Sequence, residues 1–103
     1  MQEIESLGAA LGRTGSMAVF ARYKALIQEF LKKIVPDLHQ LAKKRTKLDA
    51  KKTYLIAENI DKKIKELLEK MVQKEKSNIK LLSTIDDIKG LLIDIIILEG
   101  KEE

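Results

Sequence analysis

The sequence predicts an all-α fold: an up-and-down antiparallel bundle of about four helices in a single domain, residues 1–103. Three observations predict it. Apolar residues recur at steps of three and four through three long stretches, the period of a helix with one buried face. The 45% hydrophobic content includes only two Tyr, two Phe and no Trp. A core built from it is therefore aliphatic, which suits helix packing. Finally, 103 residues suffice for one compact core and are too few for two ordinary ones.

Taken in order, the first element is a short helix with Ile4, Leu7 and Leu11 on its apolar edge, weakened by Gly8, Gly12 and Gly15. The Gly8-x-x-x-Gly12 spacing lacks the 20-residue apolar setting of a membrane dimer motif, so it reads as a close helix contact or a turn. The run 12–16 is a break, with Thr14 or Ser16 available to cap the next helix.

Residues 17–35 form the second helix, with Phe20, Tyr23, Ile27, Phe30 and Ile34 on one face and Val19, Leu26 and Leu31 widening it. Pro36 ends or kinks this segment, and residues 37–42 read as one or two further turns. Residues 43–52, KKRTKLDAKK, carry six basic side chains, one acid and a lone Leu48, and are expected to be an exposed basic linker.

Periodicity resumes at Tyr54 and runs through Ile60, Ile64, Leu67 and Met71 to about residue 74. Two acid-first i,i+4 pairs, Glu58 with Lys62 and Glu66 with Lys70, support it by about 0.2 to 0.5 kcal/mol each. The polar run 73–78 (QKEKSN) predicts a tight hairpin, although one unbroken helix over 53–98 would keep nearly the same phase. The last helix, 79–98, is the most apolar. On a wheel centred at Ile85, Leu81, Leu82, Ile88, Leu92, Ile93, Ile95 and Ile96 form one face. Asp86, Asp87 and Asp94 fall on the solvent side. Lys89 intrudes on the apolar face, with Glu66 or Glu69 as candidate partners, and Gly100 is expected to close the helix.

Several stretches stand out in order: Gly8-Ala9-Ala10-Leu11, Arg13-Thr14, Tyr23-Lys24 with Ile27, Phe30 and Leu31, and Lys43-Lys44-Arg45. They continue through Tyr54, Ile60-Asp61, Glu75-Lys76 and Ile88-Lys89-Gly90-Leu91-Leu92-Ile93-Asp94. Taken together, they resemble the YaaR-like family of small bacterial helical proteins, a domain of unknown function. The resemblance covers almost the whole chain in order, and implies an all-α bundle with no established activity and no catalytic residues to carry over. The linker here is Lys-dominated, where the family's is longer and richer in Arg.

Chemistry is sparse. The chain has no Cys and a single histidine, His39, with no nucleophile, base and orienter assembled around it. It has no Glu-x-x-His pair for a bundle metal site and no phosphate-binding glycine loop. No catalytic, cofactor-binding or metal-binding residue is assigned, no cofactor is expected, and the protein is read as non-enzymatic. No apolar run reaches the roughly 18 residues of a membrane span, and the N-terminus does not read as a secretory signal. The expectation is a cytoplasmic protein.

Two partner readings follow. The apolar surplus at Leu91, Ile97 and Leu98 points to an unknown protein partner or a homodimer. Alternatively, residues 32–52, with eight basic and two acidic side chains in a chain of net charge +4, point to weak non-specific nucleic-acid binding. The phosphate contacts would be Lys43, Lys44, Arg45, Lys47, Lys51 and Lys52. No aromatic residue interleaves with them for base stacking, so nucleic acid is the less favoured partner.

Overall fold

The computed structural model describes residues 2–34, 47–73 and 78–100. Four helices make up these residues: α1 (Gln2–Thr14), α2 (Met17–Ile34), α3 (Lys47–Val72) and α4 (Asn78–Gly100). Their neighbour relations set the topology. Gly8 of α1 lies against Tyr23 of α2 and Ile85 of α4, while Gly12 faces Leu82, so α1 runs antiparallel to α4. Ile4 shares a surface recess with Leu26 and Phe30, so α1 and α2 are antiparallel too. Lys63 reaches Asp87 and Lys70 reaches Thr84, which makes α3 and α4 an antiparallel hairpin. With α2 packed on α3, the ring α1, α2, α3, α4 is an up-and-down bundle.

The joint between α1 and α2 is specified residue by residue. Gly15 has φ +61°, and its N–H donates to the Leu11 carbonyl at 2.8 Å, the single closing bond of a left-handed helix cap. Ser16 then caps α2: its hydroxyl accepts from the Val19 N–H at 3.4 Å and its carbonyl from the Phe20 N–H at 2.9 Å. Thr14 serves the outgoing helix instead, donating to the Ala10 carbonyl at 2.8 Å. Glu3 and Glu5 in the first turn of α1, and Lys32 and Lys33 in the last turn of α2, suit the helix dipoles.

The core is aliphatic apart from Phe20 and Tyr23. Ile4 and Leu11 enter from α1, Ile27 and Leu31 from α2, Ile60, Ile64, Leu67 and Met71 from α3, and Leu81, Ile88, Leu92 and Ile95 from α4. The hairpin replaces the alternative of one long helix, because α3 ends at Val72 and α4 starts at Asn78.

Three expectations change. Of the linker expected at 43–52, Lys47 to Lys52 are instead the first turns of α3. Lys, Leu and Ala are strong helix formers and no Gly or Pro interrupts them, so propensity carries the helix where an apolar face is missing. Gly100 lies inside α4 as its last residue rather than beyond it. The wheel face of α4 also proves too broad, because Leu82, Ile93 and Ile96 remain 46%, 40% and 37% exposed. The buried line is Leu81, Thr84, Ile88, Leu92 and Ile95. The expected turns at 37–42, His39, and Lys43 to Arg45 lie outside the described residues.

Candidate interaction surface and adjoining cleft

Helix lengths explain which apolar residues stay uncovered. At 1.5 Å per residue α4 is about 34 Å long and α1 only about 20 Å. With Gly8 opposite Ile85 and Gly12 opposite Leu82, the start of α1 comes level with about Leu92. Beyond that level the outer face of α4 carries Ile93, Ile96 and Ile97, the last 55% exposed. Next to them, the first half of α3 presents Leu55, 47% exposed. Lys52, Leu55, Ile56, Asp94, Ile97 and Leu98 line an open groove of about 340 Å³ between the two helices.

Of the three residues expected to meet a partner, Ile97 and Leu98 therefore lie in this groove, while Leu91 is half-buried against the core. Leu55, Ile93 and Ile96 belong to the same end of the hairpin and were missed. Wheel geometry assigned the two isoleucines to the core, and Leu55 sits off the main stripe of α3.

Of the six expected phosphate contacts, Lys51 and Lys52 are exposed on α3, with Lys47 one turn ahead of Lys51. Lys52 is also at the rim of the apolar groove. Lys43, Lys44 and Arg45 lie outside the described residues.

Polar contacts join α3 to α4 along a second line. The Lys70 ammonium donates to the Thr84 hydroxyl at 2.6 Å, and that hydroxyl donates to the Lys80 carbonyl at 3.1 Å. Thr84 is buried, so both bonds satisfy a polar group inside the interface. Glu66 bridges Lys70 at 3.3 Å and Lys63 at 3.4 Å, and Lys63 crosses to Asp87 at 3.3 Å. The Asp87 hydrogen bond, then that of Glu66, raises the Lys63 pKa, and the Lys70 hydrogen bond leads in lowering that of Glu66. These groups are largely in solvent, so their pairing adds little to stability. Glu66 is thus engaged within α3, and Lys89 lies instead on the α1 side of α4.

There a second cleft, of about 620 Å³, opens between α1 and α4 over Tyr23. Its floor is Ile4, Gly8, Ala9, Tyr23, Ile85 and Leu92, and its rim includes Glu5, Asp86 and Lys89. Asp86, Asp87 and Asp94 are all exposed. Among the described residues no group of three or more His, Cys, Asp or Glu is placed to hold a metal ion. Among them, too, no helix is long and apolar enough to cross a membrane.

Comparison with known proteins agrees with this architecture. The family model described as "Protein of unknown function (DUF327)" matches residues 1–96. The uncharacterized protein YaaR of Bacillus subtilis (strain 168) is 33% identical over 97 residues, covering 92% of this chain and 66% of the relative's length. The crystal structure of uncharacterized protein BH1478 from Bacillus halodurans superposes with a TM-score of 0.79 at 32% identity, over 92% of this chain and 79% of the other. The chain spans about two thirds of its curated relative, with a family match over nearly all of its own length and the same helical fold in a solved homologue. It belongs to the YaaR-like DUF327 family of proteins of unknown function.

Proposed function

We propose that the protein is a non-enzymatic interaction module that engages another protein through the uncovered end of the α3–α4 hairpin. The observation that carries this is that Leu55 and Ile97 line one open groove while Ile93 and Ile96, within about a turn of Ile97 on α4, are exposed as well. Four large aliphatic side chains, each more than a third exposed, lose contact with water when a partner helix lies along them. Lys52 and Asp94 at the groove rim supply one charge of each sign to orient it. The reading as non-enzymatic rests on the sequence, which has one histidine and no cysteine.

Self-association is tested by sedimentation velocity over a concentration series, and a foreign partner by cross-linking in the native cell. Both are compared between wild type and Ile93→Asp with Ile97→Asp. Loss of the oligomer or of the cross-linked partner in the double variant is the expected result. A wild type that is monomeric throughout, with cross-links unchanged by the substitutions, overturns the reading.

A second reading, phosphate binding, is favoured by the exposed Lys51 and Lys52 on the first turns of α3. It predicts a nucleic-acid gel shift that weakens with salt and with Lys51→Glu and Lys52→Glu. Equal shifts by variant and wild type remove it.

A further inference from the structure

The cleft between α1 and α4 is built around a tyrosine whose hydroxyl has no use in the fold. Tyr23 is 1% exposed, and its ring tip reaches under the backbone of α1 because residue 8 is glycine. An ideal Cβ at that position would stand 3.3 Å from Tyr23 Cε1 and 3.9 Å from Cζ. One bond past Cζ, the hydroxyl pairs with no donor or acceptor among the described residues, and burial alone pushes its pKa above the ordinary value. Yet among the described residues no side-chain oxygen or nitrogen is both sealed from solvent and without a partner. The hydroxyl is therefore not completely sealed, and the cleft that Tyr23 lines is the opening the structure offers it.

A buried, unpartnered hydroxyl on a tyrosine that lines a cleft of this size, with apolar walls around it, has the form of a small-molecule site: an apolar cavity with few polar groups that fix orientation. We propose that this cleft binds a neutral, largely apolar small molecule whose single oxygen hydrogen-bonds the Tyr23 hydroxyl. Neutrality follows from the surroundings. A charged head beside Tyr23 would lose its hydration among Ile4, Ile85 and Leu92. The rim charges Glu5, Asp86 and Lys89 carry both signs and are all exposed, so solvent screens their effect on the apolar floor. This site lies on the α1 side of α4 and is independent of the hairpin-end patch.

The test uses the full chain and four probes with a common bicyclic body: naphthalene, 1-naphthol, 1-naphthoate and 1-naphthylmethylammonium. Backbone amide shifts report the place and the affinity. 1-Naphthol is expected to bind about fivefold more tightly than naphthalene, the increment of one hydrogen bond, and to shift Gly8, Ala9 and Ile85. Tyr23→Phe keeps the ring and should bring that ratio to about one. Ala9→Leu, at an exposed position on the cleft wall, should weaken every probe while the helical circular dichroism stays unchanged. An equal affinity for naphthol and naphthalene in wild type, or a ratio that survives in Tyr23→Phe, overturns the proposal. Tighter binding of either charged probe, or shifts confined to Leu55 and Ile97, does the same.

Discussion

Gly8 and Gly12 occupy equivalent places on α1, one turn apart and both facing α4, yet alanine should affect them in opposite directions. Each substitution recovers about 0.8 to 1 kcal/mol of helix propensity. The difference lies in what the new methyl meets. At Gly8 it stands 3.1 Å from Ile85 Cγ2 and 3.3 Å from the Tyr23 ring. Cγ2 is a branch atom on a side chain held to one rotamer in a helix, and the tyrosine ring is buried beneath α1, so displacing either neighbour costs packing. An overpacking cost of roughly 2 kcal/mol exceeds the propensity gain, leaving Gly8→Ala less stable by about 1 kcal/mol.

At Gly12 the methyl collides with Leu82 Cδ2, the far end of a flexible side chain that is already half in solvent. Leu82 can swing outward, and Gly12→Ala should be neutral or more stable by up to about 1 kcal/mol. Urea unfolding of the two variants, with thermal midpoints separated by several degrees, provides the measurement. If Gly8→Ala proved the more stable of the pair, the argument from atom stiffness would be wrong.

Other outcomes follow from the same structure. Thr84→Val removes the hydroxyl between Lys70 and the Lys80 carbonyl and should cost about 1 kcal/mol in urea denaturation, with little change between low and high salt. Leu67→Ala, in the centre of the core, should cost about 2 to 5 kcal/mol, whereas Ile97→Ala should stay within about 0.5 kcal/mol. The Tyr23 phenol holds its proton in the folded state, while the unfolded chain releases it near pH 10. Stability from this residue is thus complete below about pH 10 and declines as pH rises past it. Tyr23→Phe should lack that part of the alkaline loss when the two proteins are compared by circular dichroism.

The sequence made the helices legible wherever burial and period coincide. Phe20, Tyr23, Ile27 and Leu31 mark α2, Ile60, Ile64, Leu67 and Met71 mark α3, and the polar run after Val72 marks the hairpin turn. The start of α3 was hidden because Lys47 to Lys52 helix without an apolar face to announce it. The outer side of α4 was misjudged for a different reason. A helical wheel ranks residues by direction, but Ile93 and Ile96 lie past the start of α1, so nothing of that helix stands opposite them. The Tyr23 cleft was invisible in principle, since it joins residues 8, 23 and 85 through packing of three separate helices, and no local signal connects them.

An interface made of leucine, isoleucine and methionine is tolerant of sliding, because one aliphatic knob fits another's hole nearly as well. Two buried threonines stand at opposite ends of the α3–α4 hairpin: Thr53 near the start of α3 and Thr84 near the start of α4. Moving α4 along α3 by one turn, about 5.4 Å, would strand the Thr84 hydroxyl's acceptor site away from Lys70. The Lys70–Thr84 pair acts as an index mark on an otherwise smooth rail. By holding the hairpin at one setting it determines which side chains of α4 stand opposite Leu55 and therefore where the groove forms.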